Sequence, residues 1–204
     1  MGADSGAKTK FNIKLLAVAI IVIVVVAVVV SWHVYAQSSN EAKSNVILPA
    51  LNLTLIGAEG QQKILDSSKL AGLKSYTAMG GYINDNANTT YAGNFTGVPI
   101  LTLLNLVGGI TSGENVTVAG SDGYQVTFTY QQVQGQGIET YDPTTGAVVP
   151  ASQPLTLIVA YYNNGTGLAS GIGPLTVAIV GSQGLFTDGF WWAYLLVKIE
   201  IIPA

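Results

Sequence analysis

Few side chains in this sequence are equipped for chemistry, and the missing types narrow the choice most. There is no Cys, no Arg and a single His, at position 33. Without Cys there is no disulfide, thiolate metal site, Fe–S cluster, covalently attached haem or nucleophilic thiol. One His beside a hydrophobic run excludes a His-rich zinc, copper or iron site downstream of it. The absence of Arg removes the usual bidentate clamp for phosphate and oxyanions. Ser and Thr are plentiful, but no His follows to activate them, and no Gly-x-Ser-x-Gly elbow is present. The carboxylates, Asp188 and Glu200 among them, are scattered without a pair at acid/base spacing, and Glu200 reads as solvated on an alternating strand. Gly165-Thr166-Gly167 and Gly171-Ile172-Gly173 lack the lysine and following helix of a phosphate cradle. No catalytic residue, metal or cofactor is expected. Net charge is −3 and the eight lysines form no basic stripe, so nucleic acid is excluded as a partner.

Two other features point outward rather than to catalysis. Phe190-Trp191-Trp192-Ala193-Tyr194 is the richest aromatic cluster, suited to a core, an interface anchor or a carbohydrate-stacking surface. Asn-x-Ser/Thr triplets at Asn52, Asn88, Asn94, Asn115 and Asn164 make a glycosylated surface an expectation, against a simpler reading as polar loops.

The N-terminal part gives the strongest signal. Leu15 to Val30 is an unbroken apolar run, extended by Ile13 and Trp32 to roughly 18–20 residues, enough for a helix to cross ~30 Å of hydrocarbon. Lys8, Lys10 and Lys14 precede it, while Trp32 and Tyr35 follow at interfacial depth. The positive-inside rule then places residues 1–12 in the cytoplasm, a signal-anchor helix over 13–36, and the remainder outside. A cleaved signal peptide ending near Val34-Tyr35-Ala36 and a pilin-type helix are the rival readings; either main one exports the domain. Residues 37–45 read as a polar spacer and 46–204 as one exported domain.

Only 9% of residues are charged, against a norm of about 25%, and the domain reads as many strands with few helices. Alternation over Leu51–Ile56 predicts a strand, Gly57 to Gly60 a turn, and Lys63-Ile64-Leu65 a second strand. Asp66, Ser67 and Ser68 offer an N-cap for a short helical turn over Lys69 to Gly72, and Ser75 to Ile83 is extended, with a bulge or close backbone approach at Gly80-Gly81. Residues 84–96 read as turn-rich. A helix is expected over 98–107, where Pro99 suits the first turn, Ile100, Leu103, Leu104 and Val107 share a face, and Gly108-Gly109 stops it. Strands are expected next over Val116 to Ala119 and Tyr124 to Tyr130, the latter with Tyr124, Val126, Phe128 and Tyr130 on one face. Residues 131–153 form a loop or hairpin insertion. Leu155 to Tyr162 and Leu175 to Val180 read as buried strands, and Tyr194 to Ile202 as the last one. The class is therefore α+β and β-rich.

The order of these signatures resembles a known family. Tyr91…Phe95-Thr96-Gly97-Val98-Pro99-Ile100…Leu103-Leu104…Gly108-Gly109 is similar to the "YTGVPLxxLLxxAG" segment of the sulfite-oxidase-type molybdopterin-binding domain. Val116 to Tyr124, Leu157 to Tyr161, Gly173 to Val177 and the closing Trp191-Trp192…Val197 to Ile201 continue the resemblance over roughly residues 50–202. It implies a mixed-sheet molybdopterin-domain-like fold, preceded here by the transmembrane helix. It also implies a metal-ligand Cys at the place of Ala78-Met79-Gly80-Gly81, where Ala78 has no ligand atom and Met79 only a neutral thioether. The cleft of such a domain would be lined by Ala78, Met79, Asp122, Tyr124 and Gly173. The plainer reading makes Asp122-Gly123-Tyr124 a tight turn with Tyr124 in the core, and Gly171 to Pro174 a strand-entry turn.

The expected role is thus a membrane-anchored, extracytoplasmic accessory or binding domain that meets the bilayer and other membrane or cell-surface subunits. A structural cell-surface glycoprotein, filament or coat component is one rival. A degenerate molybdopterin-fold oxidoreductase or small-ligand receptor is the other.

Overall fold

A computed structural model describes residues 47–84 and 89–204, which belong to the compact unit Asn45–Ala204. The expected cytoplasmic stretch 1–12, anchor 13–36, spacer 37–45 and the Asn88 triplet lie outside the described residues. Among the described residues no helix is long and apolar enough to cross a membrane.

Period-2 alternation becomes a strand where one face finds a core. In β1 (Asn52–Ile56) Leu53 and Leu55 are fully buried, while Asn52 and Thr54 face outward. A turn over Gly57 to Gly60 leads to β2 (Gln62–Asp66), paired antiparallel with β1. Asp66 then caps α1 (Ser67–Ala71) by accepting from the Lys69 backbone N–H at 2.8 Å. With β5 (Glu114–Gly120), β6 (Gln125–Thr129) and β11 (Leu196–Pro203) these strands make a sheet of order β2-β1-β11-β5-β6, in which β1 and β11 run parallel.

The second sheet holds β10 (Thr187–Asp188), β3 (Tyr76–Ile83), β4 (Thr89–Pro99), β7 (Thr156–Asn163) and β8 (Thr166–Gly167) in that order. β9 (Thr176–Val180) pairs with β7 and also reaches β3 at Gly80. The four strands β3, β4, β7 and β9 therefore close on themselves. This explains why β7 and β9 are buried almost continuously. Leu157, Val159, Val177 and Ile179 face the main core with the first sheet, while Ile158, Ala160, Ala178 and Val180 face the inside of the closed strands.

Three expectations change. Residues 89–99 are a long strand, not turns: β4 pairs with β3 from Tyr76↔Gly97 to Ile83↔Thr89 and with β7 on its other edge. The helix expected over 98–107 is shorter, because Val98 and Pro99 still pair with Val159 and Ile158. Beyond Pro99 the chain forms α2 (Ile100–Leu104) and one 3-10 turn, Asn105–Val107; the predicted apolar face is buried all the same, and Gly108 ends it in the left-handed conformation. The strand expected over 124–130 stops at Thr129, whose hydroxyl and Gln132 make a capping box for α3 (Tyr130–Val133). In the 131–153 insertion, Tyr141 bridges both Val148 and Phe186, and Asp142 closes a hairpin tip with Ala147. Glu200 is half-buried and paired with Lys198 at 2.8 Å.

Candidate functional site

Hydrogen bonds bring several of the sequence-selected residues together. The Gly120–Tyr124 turn is set by Asp122, whose carboxylate accepts from the Tyr124 N–H at 3.0 Å, and by Gly123 at φ 88°. Ser121 N donates to the Leu195 carbonyl at 2.9 Å, and Leu195 N donates to Ile172 O at 3.0 Å. Leu196 N and Val177 N tie the same segment to Leu175 O and Ala193 O. Asp122, Tyr124, Gly173 and the Phe190–Tyr194 aromatics thus belong to one neighbourhood. Leu195 sits there at φ 50°, a conformation unfavourable for a branched side chain and held by the bonds on either side. Gly120 is required at this crossing, since a Cβ would lie 2.4 Å from Tyr194 O.

The aromatics divide by burial. Trp192 is 2% exposed, meets Tyr82 at a tilt and Phe95 edge-on at 5.3 and 5.1 Å between ring centres, and donates its indole N–H to Thr187 Oγ1 at 2.9 Å. It fills the core inside the closed strands and has no surface to offer a partner. Tyr194 is half-buried with its hydroxyl donating to Tyr82; burial, then that bond, push its acidity well below that of a free tyrosine. Trp191 lies between Phe128 and Phe190. Phe190 alone of the set is open, at 55% exposure. Tyr124 joins it there rather than entering the core: it is 37% exposed and donates its hydroxyl to Phe190 O at 2.6 Å. Burial, then the nearby Asp188 charge, raise the Tyr124 pKa.

Ala78 and Met79 part company because successive side chains on a strand face opposite ways. Ala78 pairs with Phe95 and packs against the cluster of Phe95, Ala160, Ala178, Val180 and Trp192. Met79 turns toward Gly184, and its carbonyl accepts from Gly181 N at 3.0 Å. The two do not share one cleft. A shallow depression lined by Ala50 to Asn52 and Asp66 to Ser68 opens on the first sheet, whereas Ala78 lies on the second. No three His, Asp or Glu side chains gather in a metal-holding group among the described residues.

The fold has a solved counterpart. Over 74% of this chain and 38% of the other, it is similar to the sulfane dehydrogenase SoxCD from Paracoccus pantotrophus, at 15% sequence identity and a TM-score of 0.53. The chain therefore spans well under half the length of that protein, and the likeness is one of fold: β-rich with mixed sheets, consistent with a sulfite-oxidase-like architecture. No family model matches the sequence, and no curated protein matches it.

The glycosylation triplets take two settings. Asn52 and Asn115 lie on the solvent side of the first sheet, alternating with buried Leu53 and Val116. Asn94 and Asn164 touch: Asn94 N donates to Asn164 Oδ1 and Asn164 N to Asn94 O, both at 2.9 Å.

Sequence reasoning missed Tyr141. Its hydroxyl donates to Glu139, and that bond, followed by burial and the charges of Glu139 and Asp188, pushes its pKa up to about 12. A raised tyrosine pKa contributes stability below the free value of about 10 and loses it as pH climbs through the folded value. Tyr141→Phe should therefore be less stable than the parent at neutral pH, with the gap closing between pH about 10 and 12. Paired denaturant melts across that range measure it; a gap that stays constant would refute it.

Proposed function

We propose that this chain is a membrane-tethered, extracytoplasmic and non-catalytic docking subunit, built on a sulfite-oxidase-type molybdopterin scaffold that has lost its redox groups. The supporting observation is the setting of Ala78. Where the resemblance calls for a metal-ligand thiol, a methyl group stands opposite Phe95 and packs against the apolar cluster of the closed strands. The same sequence has no Arg, and no His follows His33 to grip an anionic cofactor or substrate. A fold carries no activity without its site.

What remains for function is surface and tether. The open aromatics Phe190 and Tyr124 offer that surface. The apolar run over 13–36 holds the domain at the bilayer, beside other membrane or cell-surface subunits.

Solubilising the full chain from its native membrane in mild detergent tests this reading. It should elute in a complex larger than one chain, with no molybdenum by elemental analysis. A solitary protomer, or stoichiometric molybdenum, would overturn it.

A further inference from the structure

We propose that the open edge of β6 pairs with the β6 edge of a second copy of this chain, as an antiparallel two-fold junction with Val126 at its centre. The inference rests on the docking role above and names its partner. In an antiparallel pair, alternate residues turn their backbone groups toward the neighbouring strand and away from it. Gly120 N donates to Tyr124 O at 2.9 Å, which fixes Tyr124, Val126 and Phe128 as the residues bonded on the β5 side. Thr129 N faces the other way, where the Gln132 side chain takes it at 2.9 Å. Gln125 and Thr127 share the outward phase, and β6 pairs with no strand but β5. Their N–H and C=O groups therefore point off the sheet edge, and no hydrogen bond among the described residues uses them.

The other sheet ends are guarded against such pairing. Charge, shortness and bulges are the usual protections of a strand edge. On β2, at the far side of the same sheet, Lys63 stands on the strand and the Lys69 ammonium caps the Ile64 carbonyl at 3.5 Å. The second sheet ends in the two-residue strands β8 and β10. β6 has none of these devices: it is five residues, Gln-Val-Thr-Phe-Thr, uncharged, without Pro and in unbroken register with β5.

A second β6 is the strand that fits this edge. With a two-fold axis at Val126, Gln125 of one copy lies opposite Thr127 of the other. Each Gln125 N–H then donates to a Thr127 carbonyl and each Thr127 N–H to a Gln125 carbonyl, so every open group is matched. An uncharged strand also meets its own copy without like charges facing each other. On the inward face the same register sets Tyr124 beside Phe128 of the other copy. The exposed aromatics border this edge: Trp191 lies on Phe128 at 5.3 Å, Phe190 meets Trp191 edge-on at 5.0 Å, and the Tyr124 hydroxyl holds Phe190 O. The junction gives them apolar neighbours. Because β2 is guarded, the contact closes as an isologous dimer and does not propagate.

The test is sedimentation velocity with amide hydrogen exchange of the full chain in mild detergent. A concentration-dependent dimer is expected, its affinity changing less than about threefold between about 0.02 M and about 0.5 M salt, since no charge enters the junction. The Gln125 and Thr127 amides should exchange fast in the protomer and slow as the dimer forms, while those of Val126 and Phe128 stay slow throughout. Thr127→Pro removes a donor at an edge position where strand proline is tolerated, and should weaken the dimer about tenfold or more. Gln125→Lys with Thr127→Lys sets lysine opposite lysine in both outer pairs and should weaken it as much. Gln125→Lys with Thr127→Glu sets opposite charges together and should still dimerise, now with salt dependence. Near-UV circular dichroism of the variants should match the parent; where one misfolds, amide exchange in the parent decides. A dimer indifferent to Thr127→Pro and to the double lysine variant overturns the proposal. So do Gln125 and Thr127 amides that stay fast at every concentration, or that slow only when a co-purified subunit is present. A protomer that still co-purifies with other subunits from native membrane removes the second copy and leaves the docking role standing; one that brings none removes both.

Discussion

Replacing Trp192 with alanine should lower the melting temperature of the domain by roughly 10 °C. Removal of a buried Trp costs about 3–5 kcal/mol, and a domain of this size loses about 2–4 °C per kcal/mol. The loss has three sources here. The ring leaves a void among Phe95, Ala160, Ala178 and Val180, it takes two aromatic contacts from Tyr82 and Phe95, and it strands the fully buried Thr187 hydroxyl. Small residues inside the closed strands cannot collapse into that volume. Trp192→Phe restores most of the ring volume but not the N–H, so it should recover about half the loss. Phe190→Ala, two residues away, should move the melt by less than 2 °C, since a surface side chain removed from such a site costs little. Thermal melts of the three variants decide it; equal losses at Phe190 and Trp192 would mean that the aromatics are not divided between surface and core.

That division was beyond reach in the sequence. Phe190, Trp191 and Trp192 succeed one another through a 3-10 turn, which has neither the strand's two-fold nor the helix's 3.6-fold repeat to assign sides. Alternation did reveal β1, β6 and β11, because each lays one face on a core, while β7 and β9 were legible as unbroken apolar runs. A cap within Asp66 to Ser68 and a stop at Gly108-Gly109 were legible for a local reason: their side-chain and backbone chemistry is complete within a few residues. β4 was hidden. Its Gly93, Asn94 and Gly97 have low strand propensity, and only the partners on both edges make it a strand. The capping box that ended β6 was present as Thr129-x-x-Gln132 and would have separated Tyr130 from the strand. At the site, the resemblance pointed to Ala78 as the place of a ligand in that family, but that Met79 faces away and that Tyr124 reaches Phe190 depend on pairing across the fold.

The glycines that disguised β4 lead to the other large effect. At the irregularity between Thr96 and Gly97, β4 passes so close to β7 that an alanine Cβ at 97 would lie 2.1 Å from Val159 O and 2.6 Å from Ala160 Cα. Both obstacles are backbone, in a strand buried on both faces, so no rotamer change relieves the overlap. Overpacking usually costs about 1–3 kcal/mol, and displacing a central strand adds lost pairing to that. Gly97→Ala should therefore be destabilised by about 3 kcal/mol or more, with loss of the near-UV aromatic signal before the far-UV one as the closed strands open around Trp192. Gly113→Ala is the matched control, because nothing lies within 4 Å of its added Cβ; its melt should stay within about 2 °C of the parent. If Gly97→Ala melts with the control, β4 and β7 are not in the register described, and Ala78 is not held against Phe95. The close passage and the setting of Ala78 stand on the same pairing, so this one variant tests both the fold and the observation that supports the proposed non-catalytic role.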